Sequence, residues 1–149
     1  MATYPIPEGY STVCPYLVCD HAADVLDFMI QTFGAQERGI MKTPNGKIAH
    51  GEVKIGDTVI MISDGSPEWP KTPSLVHVYV EDADAVFKKA LASGGTMVRD
   101  METFFYGDRS GGVKDPGGNT WWISSRVEDV SPEETARRMK EHQANKSAQ

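Results

Sequence analysis

The chain has 149 residues but few cysteines, no long apolar run and no excess of positive charge. Its two cysteines, Cys14 and Cys19, are expected on opposite faces of one strand, which excludes a disulfide scaffold. We interpret both as small apolar core residues and expect a reducing cytoplasm. The missing apolar run excludes a membrane-spanning helix, and no basic and apolar segment typical of a signal peptide opens the sequence.

The charge balance excludes two further classes of partner. A formal net charge of −6 argues against nucleic acid and against an anionic membrane surface, because both attract clustered Lys and Arg. With 40% hydrophobic and 24% charged residues, the composition is that of an ordinary globular chain. The length allows one domain with a sizeable core.

Part of the chain occurs twice. Residues 18–20 (VCD) match residues 80–82 (VED), and residues 56–63 match residues 118–125, both at an offset of 62 residues. A constant offset indicates a duplicated structural unit. A unit of this length is too long for a solenoid repeat and too short for an independent domain, so we expect both halves in one fold with a ligand groove between them.

Each half is predicted to fold in the order β-α-β-β-β. Strands of the first half are expected at residues 12–19, 35–41, 47–55 and 58–63, and those of the second half at residues 75–80, 97–105, 108–114 and 120–126. A helix follows the first strand in each half, capped by Asp20 or by Asp82. A third helix is expected after Ser131, where Pro132 and Glu134 complete a typical helix start.

The prediction divides this single domain into five segments. Pro67, Pro70 and Pro73 exclude a continuous helix or central strand between the halves, which makes that stretch a linker. The segments are an extended arm at 1–11, a βαβββ module at 12–63, the proline-rich linker at 64–74, a second βαβββ module at 75–126 and a tail helix region at 127–149.

Residues 107–122, which read GDRSGGVKDPGGNTWW, resemble a known superfamily when taken together with the tandem units. The group is the vicinal oxygen chelate superfamily of glyoxalase I, bleomycin-resistance proteins and extradiol dioxygenases. The Asp-Pro turn followed by Trp, and the continuation VEDVSPEE, are most similar to its PhnB-like branch. The resemblance covers about residues 12–134. It implies an α+β fold in which two tandem βαβββ modules form curved, partly open barrel sheets around a cleft, often in a homodimer.

The resemblance also implies where a metal would be held. Metal-using members take their ligands from the first and last strands of each module, and these positions fall here at Val13, Ile60, Leu75 and Trp122. None of the four side chains offers oxygen or nitrogen to a divalent cation. We therefore expect no metal at the family positions and no cofactor.

Strand parity predicts which side chains line the cleft. Val18 and Val80 directly precede the helices and are expected to pack beneath them, so residues one step away face the concave side. That set comprises Leu75, His77, Tyr79, Trp122 and Ser124. Aromatic rings and an imidazole on a cleft wall suit a flat ligand, whereas a plain hydrophobic sheet face with an internally satisfied His77 is the alternative.

Three further positions carry possible chemistry. His50 and Glu52 share a strand face and, together with His77, could form a displaced metal site of two histidines and one carboxylate; a solvated surface pair is the alternative. Arg109 is positioned to bind an anion or to form only a surface ion pair. Trp69 in the linker either covers the cleft mouth or packs locally.

Two classes of function remain open. The first is a dimeric protein that binds a small aromatic or anionic molecule in the cleft without metal, like the drug-sequestering members of the superfamily. The second is a metal-dependent lyase, isomerase or dioxygenase with a displaced ligand set, and a metal-free enzyme with His77 as proton shuttle is a variant of it. We favour the binding protein because the expected ligand positions are apolar, while the ligand's identity and any catalytic role stay open.

Overall fold

Two modules of the same layout, followed by a helix, make up residues 3–148, which the computed structural model describes. Module 1 contains β1 (Tyr16–Cys19), α1 (Ala22–Phe33), β2 (Gln36–Lys42), β3 (Ile48–Ile55) and β4 (Thr58–Asp64). Module 2 contains β5 (Leu75–Tyr79), α2 (Ala83–Ala92), β6 (Thr96–Thr103), β7 (Asp108–Lys114) and β8 (Thr120–Arg126). Helix α3 (Pro132–Ser147) ends the chain. Within this part of the chain, no helix is both long enough and apolar enough to cross a membrane.

Each module forms its own four-stranded sheet. The strand orders are β1-β4-β3-β2 and β5-β8-β7-β6, with the first strand parallel to the last and the other neighbours antiparallel. The sheets are curved but not closed. This arrangement confirms the predicted α+β class with two βαβββ modules.

Helix α1 of module 1 and helix α2 of module 2 begin in different ways. Asp82 caps α2 as predicted, and its carboxylate accepts a hydrogen bond from the Ala85 N–H at 3.1 Å. The predicted Asp20 cap of α1 is wrong, because the N-cap is His21 in a left-handed conformation (φ 56°) with no capping side-chain bond. The first amide of α1 instead donates to Asp64 at the end of β4, at 3.1 Å.

The modules correspond at an offset of 61 residues rather than 62. Leu17 lies opposite Ile62 in module 1, and Val78 lies opposite Ile123 in module 2, with all four facing the helices. A slip of one residue moves a side chain to the other face of a sheet. The expectation for Val18 is therefore wrong: it shares the outer face with Tyr16 and lines a pocket there. Val80 does pack against the core, as expected.

Helices α1 and α2 contact each other and lie between the two sheets. The central side chain is Trp121 of β8, which is fully buried. Its ring centroid lies 6.2 Å from that of Phe28 and 5.0 Å from that of Phe33, both on α1. The core therefore runs through both modules, and the sheet faces opposite the helices are left on the outside. We call these the outer faces.

The Asp-Pro turn between β7 and β8 fixes Trp121 through one carboxylate. Asp115 is buried and accepts hydrogen bonds from the Gly117 and Asn119 amides at 2.9 and 3.0 Å. It also accepts from the Asn119 side chain at 3.0 Å and from the Trp121 indole N–H at 2.8 Å. One side chain thus satisfies the turn and the largest core residue together.

Replacing Asp115 by Ala is expected to lower the free energy of unfolding by roughly 3 kcal/mol, because it leaves several buried donors without an acceptor. Urea unfolding followed by circular dichroism measures the change. Asp57→Ala in the equivalent turn of module 1 is the matched control, since Asp57 is exposed and, among residues 3–148, its side chain accepts only from the neighbouring Thr58 hydroxyl. Equal losses in both variants would contradict this role of Asp115.

Gly117 is the point where the turn of module 2 meets module 1. A Cβ at this position would lie 2.6 Å from Val25 Cγ2 and 2.8 Å from the Asp20 carbonyl oxygen. We expect Gly117→Ala to destabilise the protein by roughly 2 kcal/mol through overpacking. Gly39→Ala, where a Cβ meets no atom within 4 Å, serves as the control in the same urea experiment. A Gly117→Ala variant as stable as its control would show that the modules do not approach here.

Candidate functional site

The outer face of module 2 carries a cluster of rings. His77 lies directly opposite Trp122, and Tyr79 lies opposite Ser124, on the adjacent strands β5 and β8. The ring centroids of His77 and Tyr79 are 4.8 Å apart. The structure thus places these four predicted site residues on one sheet face, away from the helices.

Two residues that sequence reasoning missed extend this cluster. Phe104 and Tyr106, in the turn between β6 and β7, stack with centroids 5.5 Å apart, and Phe104 lies 6.1 Å from Trp122. The Arg99 guanidinium lies 5.0 Å above the Phe104 ring, a cation–π distance. The only sequence signal was the FFY run at 104–106. We call the set His77, Tyr79, Phe104, Tyr106 and Trp122 the aromatic face.

A buried carboxylate lies beside the aromatic face. Asp108 accepts a hydrogen bond from the Tyr79 hydroxyl at 2.8 Å, which raises the pKa of Tyr79 and keeps its phenol protonated. The other carboxylate oxygen, Oδ1, is buried, has no hydrogen-bond partner among residues 3–148, and lies 3.8 Å from Arg126 Nε. Ser110 and Ser124 share a hydrogen bond of 2.6 Å on the same face.

The outer face of module 1 carries a different group, a chain of four hydrogen-bonded side chains. Tyr16 Oη lies 3.2 Å from His50 Nδ1, and His50 Nε2 lies 2.7 Å from Glu52 Oε2. The Tyr10 hydroxyl donates to the other Glu52 oxygen. Tyr10 and His50 together lower the pKa of Glu52, and the bond to Glu52 raises the pKa of Tyr10. We call these four residues the polar chain.

His50 and Glu52 bind each other and the two tyrosines of the polar chain, and His77 is not a member of this group. His77 belongs to module 2 and packs against Tyr79 instead. Among residues 3–148, no three His, Cys, Asp or Glu side chains are grouped so that they could hold a metal ion.

A cavity of about 820 Å³ lies where the proline-rich linker passes over module 1. Tyr16 and Val18 of β1 form one wall, and Lys47 and Ile48 at the start of β3 form another. Trp69 of the linker lies at this cavity, and the bond from its amide to Ser66 Oγ (3.0 Å) holds the linker turn. We call this cavity the linker pocket.

A second cavity of about 920 Å³ separates the modules. Its walls include the end of α1 at Phe33, the β3–β4 hairpin at Gly56, and strand β5 with His77 and Tyr79. This inter-module groove therefore reaches the aromatic face along β5. Within a single chain, this groove corresponds most closely to the cleft that the sequence predicts.

Arg109 lies on the opposite face of the sheet from the aromatic face. Its guanidinium binds both oxygens of Asp84 on α2, at 2.7 and 2.9 Å, and the Thr103 hydroxyl at 3.2 Å. The reason is strand parity, since its neighbours Asp108 and Ser110 face outward. Arg109 thus joins β7 to α2 rather than joining the other predicted ligand-binding residues.

The four positions that the resemblance assigns to metal ligands are not equivalent in the structure. Trp122 and Leu75 lie on the outer face of module 2, but Ile60 is buried on the helix side of β4. Val13 precedes β1 and is exposed. The sequence offset of 62, which would make Ile60 the counterpart of Trp122, therefore does not hold in the structure. At the structural offset of 61, the counterpart of Trp122 is Met61, which lies opposite Tyr16.

Sequence relatives cover most of the chain. The protein Rv0887c of Mycobacterium tuberculosis (strain H37Rv) is 35% identical over 131 residues, which cover 80% of this chain and 77% of that protein. The protein Mb0911c of Mycobacterium bovis has the same identity over the same length and is covered to 86%. Both carry the description "uncharacterized", so they bear on descent rather than on activity.

Solved structures of low sequence identity share the fold. TioX from Micromonospora sp. ML1 superposes with a TM-score of 0.67 at 23% identity, covering 78% of this chain and 99% of TioX. A Bacillus cereus protein described as a putative 3-demethylubiquinone-9 3-methyltransferase, PhnB protein, gives a TM-score of 0.60 at 19% identity, covering 77% and 99%. The family model of the glyoxalase/bleomycin resistance protein/dioxygenase superfamily matches residues 12–123. With this match over most of its length and with its paired βαβββ modules, the chain belongs to that superfamily.

Proposed function

We propose that this protein binds a small aromatic or anionic molecule on the aromatic face and in the adjoining inter-module groove, without the metal site of other superfamily members. The observation that carries the proposal is a cluster of five rings, three on one sheet face and two in the adjoining β6–β7 turn, that takes no part in the core. A planar ligand gains stacking and apolar burial on such a surface.

The charges beside the rings indicate which ligands are favoured. Arg99 lies above Phe104, where one of its nitrogens donates to Glu102 at 2.8 Å and the others stay available, and His77 projects from β5 with its ring exposed. These two groups offer hydrogen-bond donors to a carboxylate, phosphonate or phenolate oxygen. An aromatic acid matches the face better than a purely apolar molecule, because both its ring and its charge find partners.

We further propose that the cleft is completed by a second copy of the chain in a homodimer. Large apolar side chains remain exposed on the outer face of module 2, namely Leu75 (75%) and Tyr79 (62%). Exposed apolar surface of this kind is typical of an interface. Two copies related by a two-fold axis would cover this face and enclose the ligand between them.

The proposal includes the absence of a bound metal and a place in the reducing cytoplasm. Cys14 and Cys19 are both free thiols, and burial raises the pKa of Cys19 to about 12.

Elemental analysis of purified protein tests directly whether a metal is bound. Stoichiometric Ni, Zn, Mn or Fe, or activity restored by adding one of them, would favour the metal-dependent lyase, isomerase or dioxygenase instead.

Ligand binding is predicted for planar aromatic carboxylates, measured by isothermal titration calorimetry with 1-naphthoate. Bleomycin and 2-aminoethylphosphonate represent the glycopeptide and phosphonate classes in the same screen. We expect Trp122→Leu and His77→Ala each to weaken naphthoate binding about fivefold to tenfold, because a stacking or charge partner is lost. His142→Ala is the matched control, since His142 also packs on a ring, Phe105 (5.2 Å), but belongs to α3. Failure of all three probes to bind would contradict the proposed function.

The dimer is predicted to be visible by sedimentation velocity at micromolar concentration. Leu75→Glu places a charge on the proposed interface and is expected to shift the protein towards the monomer. Leu91→Glu, an equal change on the exposed side of α2, is expected to leave the distribution unchanged. A wild-type protein that sediments as a monomer would overturn the shared cleft, while ligand binding to one chain could still be measured.

A further inference from the structure

The polar chain joins distant parts of the sequence on the outer face of module 1. The arm supplies Tyr10, β1 supplies Tyr16, and β3 supplies His50 and Glu52. Its two tyrosine bonds connect residues 42 and 34 positions apart. The fold therefore builds this arrangement, which local sequence does not dictate.

The order of groups along the polar chain sets the direction of proton movement. The ionised Glu52 carboxylate accepts the Nε2–H of His50; when the ring is neutral, Nδ1 therefore carries the lone pair and accepts the hydrogen bond of the Tyr16 hydroxyl. A carboxylate that orients an imidazole, which in turn holds a hydroxyl, is the arrangement by which enzymes activate an acid–base group or nucleophile. Tyr10 fixes the second Glu52 oxygen, and Arg38 lies 5.4 Å above the Tyr10 ring.

Tyr16 is also the member of the polar chain that lines the linker pocket. Its side chain is partly exposed, so a molecule in that pocket can reach the phenolic oxygen. The same pocket is lined by Trp69 and by Lys47, which suit an aromatic group and a negative charge. The Asp64 carboxylate also lines it, and its two oxygens accept hydrogen bonds from the Ala22 and Ile48 amides. A hydroxyl that is hydrogen-bonded to an imidazole therefore meets a cavity large enough for a small substrate.

We propose that Tyr16, His50 and Glu52 form a proton relay, and that the protein catalyses a metal-independent keto–enol tautomerisation of an aromatic, anionic carbonyl compound in the linker pocket. Tyr16 is the catalytic residue, and His50 and Glu52 act through it as positioning residues. The proposal goes beyond ligand binding on the aromatic face, because it uses a different module and a different cavity.

The reaction balances without an oxidant or a second reactant. The Tyr16 oxygen removes a proton from the carbon next to the carbonyl as its own proton passes to His50 Nδ1, and Glu52 stabilises the resulting imidazolium. The C–H electron pair becomes the C=C bond of the enol, while the carbonyl π electrons move to oxygen. The relay then runs backwards, and Tyr16 delivers a proton to that oxygen.

The first test measures the activation of Tyr16 without any knowledge of the substrate. An arylsulfonyl fluoride such as 4-(2-aminoethyl)benzenesulfonyl fluoride forms an S–O bond with a tyrosine oxygen and releases fluoride, while the phenolic proton goes to a base. Peptide mass spectrometry is expected to show Tyr16 labelled about tenfold faster than the more exposed Tyr4. Labelling of Tyr16 no faster than of Tyr4 would overturn the relay.

Variants of His50 and Glu52 separate a relay from a merely structural bond. His50→Gln is expected to slow Tyr16 labelling about tenfold, because a glutamine amide can hold the phenolic hydroxyl but cannot take its proton. The groups that face His50 are Tyr16 on β1, Glu52 on β3 and, through Glu52, Tyr10 of the arm. Glu52→Gln is expected to slow labelling as well, because a neutral amide no longer stabilises the imidazolium. Unchanged labelling in His50→Gln would refute the role of the imidazole.

The second test measures turnover, with phenylpyruvate as the probe. Exchange of its C3 hydrogens in D₂O, followed by NMR, is expected to exceed the buffer rate and to fall about 100-fold in Tyr16→Phe. Tyr4→Phe is the control that should keep wild-type exchange. Exchange at the buffer rate would overturn the tautomerisation, even where naphthoate binding shows that the aromatic face works as proposed. Conversely, exchange by a protein that binds none of the three probes would uphold the relay and refute the proposed function.

Discussion

The burial of one indole ring organises the whole chain. Trp121 lies on the last strand of module 2, yet its ring packs against Phe28 and Phe33 of the helix in module 1. Its N–H binds Asp115, whose carboxylate also shapes the turn that begins the strand. Because this contact draws the helices of both modules inward, the two sheets are left with their other faces outside. The position of the proposed ligand-binding surface thus follows directly from where the core forms.

Strand β8 shows how alternation gives neighbouring residues different surroundings. Trp121 and Ile123 point into the core, whereas Trp122 and Ser124 point to the aromatic face. Two adjacent tryptophans therefore lie on opposite sides of one sheet. The same alternation on β7 places the Arg109 side chain against α2, although both of its neighbours face outward.

Much of the architecture could be predicted because it depends on local signals. Turn residues, helix periodicity and the caps at Asp82 and Ser131 are read within a few positions, and both caps are present. The offset between modules could not be read in this way. The β3–β4 connection has two residues and the β7–β8 connection has five, so matching the turns by sequence misaligned the strands by one residue and exchanged their faces. The polar chain was also beyond local reasoning, since Tyr10 and Glu52 meet only through the tertiary fold.

The linker between the modules has a structural task of its own. Its Thr72 amide donates to the Val18 carbonyl at 2.9 Å and so forms an antiparallel bridge with β1. This bridge covers part of the free edge of β1, the kind of edge at which sheet proteins are prone to associate with one another. The linker therefore does more than connect the two modules, because it also protects the edge strand of module 1. Separating the modules at the linker would expose the edge of β1.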